Sequence, residues 1–269
     1  MPRSRRRGVG LAARGADAPG SATVTPTTTD APAPRPRWRR VAGHPLTHLV
    51  AALLVIALVQ SFAVKVFQVP SASMERTLSP GDRILVDRIS FATGDPRPGD
   101  VVVFDRPESW RDGPAPERAL WRTVAGWFGD VFGFGPSNGD ALVKRVIGEP
   151  GSTVACCDAG GRVTVDGAAL TEDYIAADPP FEPGALDCDT EPRSMRCFGP
   201  VTLAPDEYLL LGDNRADSAD SVSPCRTVSA TAADAEAART AACARTVPRD
   251  ALIGPVFFRF WPLDRIGAP

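Results

Sequence analysis

Residues 80–104 read PGDRILVDRISFATGDPRPGDVVVF, and this stretch sets the pattern for most of the chain. The first of two short apolar runs, 83–88, follows a Pro-Gly-Asp triplet at 80–82. The second, 100–104, begins with the aspartate of another such triplet at 98–100. Proline followed by glycine favours a tight turn, and β-branched residues between such turns favour extended strands. The stretch therefore predicts two strands bordered by turns.

The same pattern of short apolar runs between turn residues recurs along the chain. Further apolar runs bordered by turn residues lie at 141–147, 163–165, 207–211 and 252–260. The 269 residues include 27 prolines and 24 glycines, which disfavour long helical bundles. Since 43% of the residues are hydrophobic, the chain can still bury a sizeable core. We therefore predict a domain built mainly from antiparallel β-strands.

A long apolar segment, LTHLVAALLVIALVQSFAVKV at 46–66, precedes the predicted strands. As a helix it is long enough to cross a hydrocarbon core of about 30 Å. The residues before it are basic, with nine arginines against two aspartates in positions 1–40, a balance of 9 − 2 = +7 in a chain of net charge −2. A cleavable secretory signal is the alternative to a membrane anchor.

The positive-inside rule converts this asymmetry into a topology. We predict a disordered, basic cytoplasmic arm at 1–44, a transmembrane helix at 45–66 and an extracytoplasmic β domain at 67–269. Because the arginines lie directly before an apolar segment, the lipid membrane is the expected partner of the arm, and nucleic acid is not.

All six cysteines fall in the predicted outer domain, where an oxidising compartment allows them to pair. Cys188 with Cys197, and Cys225 with Cys243, each close a short loop and are the pairs that we predict. The adjacent Cys156 and Cys157 stay unassigned.

Two insertions interrupt the β pattern, at about 105–140 and 222–246. The first contains a segment rich in tryptophan and phenylalanine, Trp110–Gly135, which either rests on the membrane interface or packs against the domain. The second contains an alanine-rich segment, Ser229–Ala244, which predicts a short helix.

Histidine is confined to positions 44 and 48, so the β domain cannot hold a Ser-His-Asp triad or a histidine-based zinc site. There is no phosphate-binding loop and no cluster of metal ligands with the usual spacing. We therefore predict no cofactor and no metal site.

Lysine is also scarce. The chain has 28 arginines and two lysines, and Lys144 is the one lysine of the predicted outer domain, since Lys65 lies in the apolar segment. It lies within an apolar run, where burial would lower the pKa of its amine and allow it to act as a base. Ser73, in PSASM at 70–74, offers a hydroxyl for such a base to activate, although serines near a turn are usually structural.

Several segments together resemble the type I signal peptidases, a family of membrane-anchored Ser/Lys endopeptidases that remove signal peptides from exported proteins. These segments are PSASMERTLSPGD at 70–82, PGDVVVF at 98–104, VKRVIGEPG at 143–151, GDNRADSADS at 212–221, VPRDALIG at 247–254 and FRFWPLDRIG at 258–267. The resemblance implies a mainly β fold, in which an antiparallel, barrel-like catalytic domain follows one N-terminal transmembrane helix.

By this resemblance Ser73 is the nucleophile that forms the acyl-enzyme, and Lys144 is the neutral general base. Ser71 is expected to supply the hydroxyl of the oxyanion hole, beside the Ser73 backbone N–H. Ser218 is expected to orient the lysine amine, and Asp220 matches a structural aspartate of the same loop.

Two positions depart from the family pattern. Val222 stands where the family has an arginine that pairs with the aspartate, so the partner of Asp220 is open, with Arg226 as the candidate. Asp217 replaces the usual asparagine of the loop.

The resemblance also implies the substrate site. Its pockets are shallow and apolar, which suits alanine at positions −1 and −3 of a preprotein, and an extended substrate would lie between 68–71 and 140–143. The residues that match this site are Phe67, Gln68, Val69, Pro70, Leu142 and Val143.

The sequence thus predicts a signal peptidase of the bacterial cell membrane, with preproteins as partners and the protein-export translocon nearby. A β-lactamase-like enzyme is excluded, because Arg76 occupies the lysine position of an S-x-x-K motif starting at Ser73. A self-cleaving Ser/Lys repressor would need a DNA-binding module in place of the apolar segment. A membrane-tethered β domain without activity, or an inactive paralogue, remains an alternative.

Overall fold

The structure is a computed structural model that describes residues 44–111, 113, 120–121, 126, 140–226 and 243–269. It divides into two compact units, Met1–Thr47 and His48–Pro269. The predicted arm at 1–44, apart from His44, lies outside the described residues. So do most of the aromatic segment at 110–135 and most of the alanine-rich segment at 229–244.

The first helix, α1, covers Pro45–Phe62. Proline suits the first turn of a helix, where its missing N–H would have no partner inside the helix. The helix is shorter than the predicted transmembrane helix at 45–66, because Val64 begins a strand that pairs with the strand ending at Asp87. Across the part of the chain that is described, no helix has both the length and the apolar character needed to cross a membrane.

The described residues after α1 form mainly antiparallel strands, with one further short α-helix, α2, at Ser90–Thr93. The strands are β1 Val64–Gln68, β2 Arg83–Asp87, β3 Val101–Asp105, β4 Ala141–Gly148, β5 Thr153–Cys156, β6 Val163–Val165, β7 Ala168–Ala169, β8 Phe198–Thr202, β9 Glu207–Leu211, β10 Val247–Pro248 and β11 Leu252–Trp261.

These strands form two sheets within the described residues. The larger has the order β1-β2-β11-β3-β4-β9-β10, and the smaller has the order β7-β6-β5-β8. Strand β11 pairs with both β2 and β3 and therefore lies in the middle of the larger sheet. The predicted mainly β, antiparallel fold is confirmed, but the larger sheet is an open half-barrel with edges at β1 and β10 and does not close.

Strand β4 lies between two hydrophobic clusters, because its successive side chains point to opposite faces of the sheet. Val143 packs with Val69 and Met74 on one side of the strand. Leu142 and Val146 pack with Phe104 and Trp110 on the other. Because side chains alternate along a strand, Lys144 shares the face of Leu142 and Val146.

The cysteines lie in pairs. The sulfur atoms of Cys188 and Cys197 are 2.02 Å apart, and those of Cys225 and Cys243 are 2.07 Å apart, in the two predicted pairings. Cys156 and Cys157, which the sequence left unassigned, are joined to each other.

Candidate active site

Ser73 lies in the loop that joins β1 to β2, on a short 3-10 turn at Ala72–Met74. The loop is held at its base by Val69, whose N–H donates to the Asp82 carbonyl at 2.8 Å. The Met74 side chain is fully buried in the hydrophobic cluster beneath the turn. Because the loop is fixed on both sides of Ser73, the buried hydroxyl has a defined position.

The Lys144 side chain extends from β4 to Ser73. It pairs with Val102 of β3 in register and is 3% exposed. Its Nζ lies 2.6 Å from Ser73 Oγ and also donates to the Val143 carbonyl at 3.0 Å. The structure therefore brings together the two residues on which the sequence prediction depends.

Burial lowers the pKa of Lys144 from its usual 10.5 to about 8, because a charged amine is poorly solvated inside the protein. The carboxylates of Asp220 and Asp213 act in the opposite direction and raise the pKa, whereas the Arg106 guanidinium lowers it further. Arg106 was not singled out in the sequence. An appreciable fraction of the amine is therefore neutral near pH 7.5, as a general base requires.

The polar loop after β9 locks the Ser73 turn in place. The Asn214 N–H donates to the Ser73 carbonyl at 3.1 Å, and its side-chain amide donates to the Ala72 carbonyl at 3.3 Å. The loop passes very close at Gly212, where an added Cβ would lie 2.5 Å from the Ser73 carbonyl oxygen. Glycine is therefore required there by the contact itself.

A second connection joins this loop to β4. Arg145, the neighbour of Lys144, donates to the two oxygens of the buried Asp213 carboxylate at 2.8 and 2.6 Å. Such a two-point contact fixes orientation as well as distance. Sequence reasoning gave neither residue a role, although both stand inside the motifs at 143–151 and 212–221 that carry the resemblance.

The two supporting serines differ in what they contact. Ser71 Oγ donates to Ser73 Oγ at 3.3 Å, so the two hydroxyls lie side by side. Ser218 Oγ is buried near Gly212 but has no hydrogen-bond partner among the described residues. The expected contact of Ser218 with the lysine amine is therefore not formed; the amine contacts Ser73 Oγ and the Val143 carbonyl instead.

Asp220 is buried beneath the loop and is bound by its backbone. Its carboxylate accepts the N–H groups of Gly212 at 3.3 Å and Val222 at 3.2 Å. It also pairs with Arg226 at 3.4 Å, and that guanidinium donates to the Arg215 carbonyl at 2.8 Å. Arg226 thus takes the place of the missing family arginine, and the Val222 side chain joins a hydrophobic cluster.

Replacing Arg226 by methionine is expected to lower the free energy of unfolding by about 3 kcal/mol, because the Asp220 charge would stay buried without its cation. Urea unfolding of the two proteins at pH 7 measures this difference. The double variant Asp220→Asn/Arg226→Met, which removes both charges, should recover most of the loss. Equal stability of wild type and Arg226→Met would show that the pair does not matter.

A cleft of about 900 Å³ opens over Ser73 and Lys144. Of the predicted substrate residues, Pro70 and Leu142 line it. The other four do not: Phe67, Val69 and Val143 belong to the hydrophobic cluster on the far face of β4, and Gln68 is exposed at the end of β1. The cleft wall instead includes Arg106, Trp110 and Arg245, to which the sequence assigned no role in the site.

One edge of β4 is open beside the cleft. Strand β3 pairs with residues 141–145, whereas β9 on the other side pairs only from Arg145 onward. Within the described chain, the backbone at 141–144 therefore has no strand partner on that side. An extended peptide can add there as a further strand.

A family model described as "Signal peptidase, peptidase S26" matches residues 44–261. The chain belongs to this family. The match covers both the Ser73 loop and β4, and it confirms the resemblance seen in the motifs.

Individual signal peptidases show the same relationship. The chain is 38% identical over 192 residues to "Signal peptidase I" of Mycobacterium tuberculosis, covering 65% of this chain and 62% of that protein's length. It is 31% identical to "Probable signal peptidase I-2" of Synechocystis, over 81% of this chain and 73% of the relative. A signal peptidase I crystal structure from Enterococcus faecalis V583 is 22% identical, covers 60% of this chain and 97% of that one, and has a TM-score of 0.32.

Proposed function

We propose that this protein is a serine endopeptidase that removes signal peptides from exported preproteins after Ala-X-Ala sites. Ser73 is the nucleophile and Lys144 the general base. The observation that carries the proposal is the 2.6 Å separation of the buried Lys144 amine from Ser73 Oγ. A serine hydroxyl needs a base in contact with it, and no histidine is present in the sequence after position 48.

The reaction follows from this geometry in two halves. Neutral Lys144 takes the proton of Ser73 as Oγ attacks the scissile carbonyl, and the resulting oxyanion is stabilised by the Ser71 hydroxyl and a backbone N–H. The protonated amine then gives its proton to the leaving amine, which releases the mature protein and leaves the signal peptide on Ser73. Lys144 next deprotonates a water molecule, which hydrolyses the ester and restores Ser73.

The proposal places the preprotein in an extended form along the open edge of β4 at 141–144. Backbone hydrogen bonds of the added strand would supply affinity without regard to sequence. Specificity would come from the apolar surface of Pro70 and Leu142 next to the nucleophile, which leaves room for small residues. The carbonyl of a small residue such as alanine at position −1 can then reach Ser73.

Cleavage of a preprotein with an Ala-X-Ala site by the detergent-solubilised protein tests the function. Mass spectrometry of the products should locate a single cut after the second alanine. A matched preprotein with leucine at position −1 should be cleaved with a kcat/KM about 10²-fold lower, because the larger side chain does not fit. Rapid cleavage of both preproteins would contradict the proposed specificity, and cleavage of neither would favour an inactive paralogue.

The activity should depend on pH through Lys144. Its pKa of about 8 predicts that kcat/KM rises tenfold per pH unit below pH 8 and levels off above it, since the neutral amine is the active form. Removing the Arg106 guanidinium, which lowers this pKa, should move the midpoint to higher pH. Rates for wild type and Arg106→Gln from pH 5.5 to 10 measure both effects. A rate independent of pH from 6 to 9 would count against the lysine base.

We further propose that the protein acts at the bacterial cell membrane, with its arginine-rich residues in the cytoplasm and the catalytic domain outside. Large apolar side chains of α1 are more than half exposed, including Leu49, Leu54 and Leu58. Contact with lipid would remove this apolar surface from water. Recovery of the full-length protein in the soluble fraction of disrupted cells would contradict membrane attachment.

A further inference from the structure

Four of the six cysteines converge at one place beside the smaller sheet. Cys156 ends β5 and Cys197 directly precedes β8, and these two strands pair with each other. The sulfur atoms of Cys157, Cys188 and Cys197 all lie within 4.8 Å of one another. Cys188 Sγ also lies 3.6 Å from the Cys156 carbonyl oxygen. The Cys156–Cys157 and Cys188–Cys197 disulfides are therefore neighbours in space.

The four cysteine residues differ in their exposure. Cys156 is 4% exposed and Cys197 is 1% exposed, whereas Cys157 and Cys188 are half-buried. Each disulfide thus joins one half-buried cysteine to one buried cysteine. A thiolate from outside would attack the sulfur of the half-buried cysteine, and the sulfur of the buried cysteine is then the leaving group.

We propose that these four cysteines form one thiol–disulfide exchange site, at which a small external thiol such as glutathione converts the pairing 156–157 and 188–197 into 156–188 and 157–197. The site is separate from the cleft that holds Ser73 and does not depend on the proposed peptidase activity. It is a modification site of the outer domain.

The exchange takes three balanced steps, each forming one S–S bond and breaking one. The external thiolate attacks Cys188 and releases the Cys197 thiolate. Cys197, within 4.8 Å of Cys157, attacks that sulfur and releases the Cys156 thiolate. Cys156 then attacks Cys188 and expels the external thiol unchanged. No net oxidation or reduction occurs, so the thiol acts as a catalyst.

Peptide mapping of the folded protein tests this directly, because arginines separate the cysteines. Tryptic peptide 146–162 holds Cys156 and Cys157, peptide 163–193 holds Cys188 and peptide 197–215 holds Cys197. In the starting pairing, 146–162 is free and the other two are joined. The protein is incubated with a small amount of reduced glutathione, blocked with N-ethylmaleimide and digested at mildly acidic pH.

The expected result is the appearance of a species that joins all three peptides, with a matching loss of free 146–162. The Cys225–Cys243 pair, which joins peptides 216–226 and 240–245, serves as the internal control and should not change. A map that stays at the starting pairing would overturn the proposal. So would scrambling that includes Cys225 or Cys243, because it would show that exchange requires unfolding.

Discussion

Replacing Ser73 by alanine is expected to lower kcat/KM for an Ala-X-Ala preprotein by at least about 10⁴-fold, since no acyl-enzyme can form without the hydroxyl. The variant should fold normally, because the hydroxyl contacts only groups of the site and the turn is held by Met74 and Asn214. Cleavage assays at equal protein concentration, with unfolding curves for both proteins, measure the two effects separately.

Alanine variants of two other serines provide a smaller expected effect and a control. Ser71→Ala removes a hydroxyl that lies 3.3 Å from Ser73 Oγ, and the loss of one oxyanion donor is expected to cost about 10²-fold in kcat. Ser90→Ala makes the same chemical change at an exposed position on α2 and should leave the rate as it is. A Ser73→Ala protein that keeps more than a small fraction of wild-type activity would remove Ser73 from the mechanism.

Replacing Lys144 by methionine is expected to abolish activity to a similar degree while making the protein more stable. The pKa of this lysine is about 8 in the folded protein against 10.5 as its usual value, a difference of about 2.5 units. At about 1.4 kcal/mol per unit, burying the charged amine costs about 3 kcal/mol at pH 6. Methionine has a similar length and no charge, so the variant avoids this cost.

The sign of this effect depends on pH. Below pH 8 the amine is protonated in both the folded and the unfolded protein, so the full cost is present. Between pH 8 and 10.5 the unfolded chain binds more protons, and wild-type stability rises towards that of the variant. The stability advantage of Lys144→Met should therefore be greatest at pH 6 and fade above pH 10.

The chain offers a matched control because it contains one other lysine. Lys65 lies on β1 with its amine 5.0 Å from the centre of the Phe67 ring, and it is not among the residues that line the cleft over Ser73. Lys65→Met should keep wild-type cleavage and show no comparable gain in stability. Denaturant unfolding at pH 6, 8 and 10 compares all three proteins. A less stable Lys144→Met at pH 6 would mean that the amine is not held as a costly buried charge.

The sequence placed Ser73 and Lys144 together mainly through the motifs that carry the family resemblance. Composition supports the same pair, because the β domain has no histidine and Lys144 stands within an apolar run. Short β-branched runs between Pro-Gly turns also predicted β2 and β3 correctly. Both signals are local, since they depend on residues that are neighbours in the chain.

The features that were missed depend on contacts between distant segments. Strand β1 continues the apolar run of α1, so composition alone could not separate the two. Val143 was assigned to the substrate pocket, but side chains alternate along β4 and that of Val143 points into the hydrophobic core. Arg106, which follows β3, lines the cleft because β3 pairs with β4. None of these contacts has a signature in the sequence.

The central position of β11 has a consequence for biosynthesis. Ser73 stands on the β1–β2 side of the larger sheet and Lys144 on the β3–β4 side, and β11 is the strand between β2 and β3. Ribosomes deliver this strand after all the others that are described. A nascent chain therefore carries both residues of the proposed pair well before the sheet can align them. Under the proposed function, cleavage of a preprotein therefore requires Leu252–Trp261 to have left the ribosome, since this strand joins the two sides of the sheet.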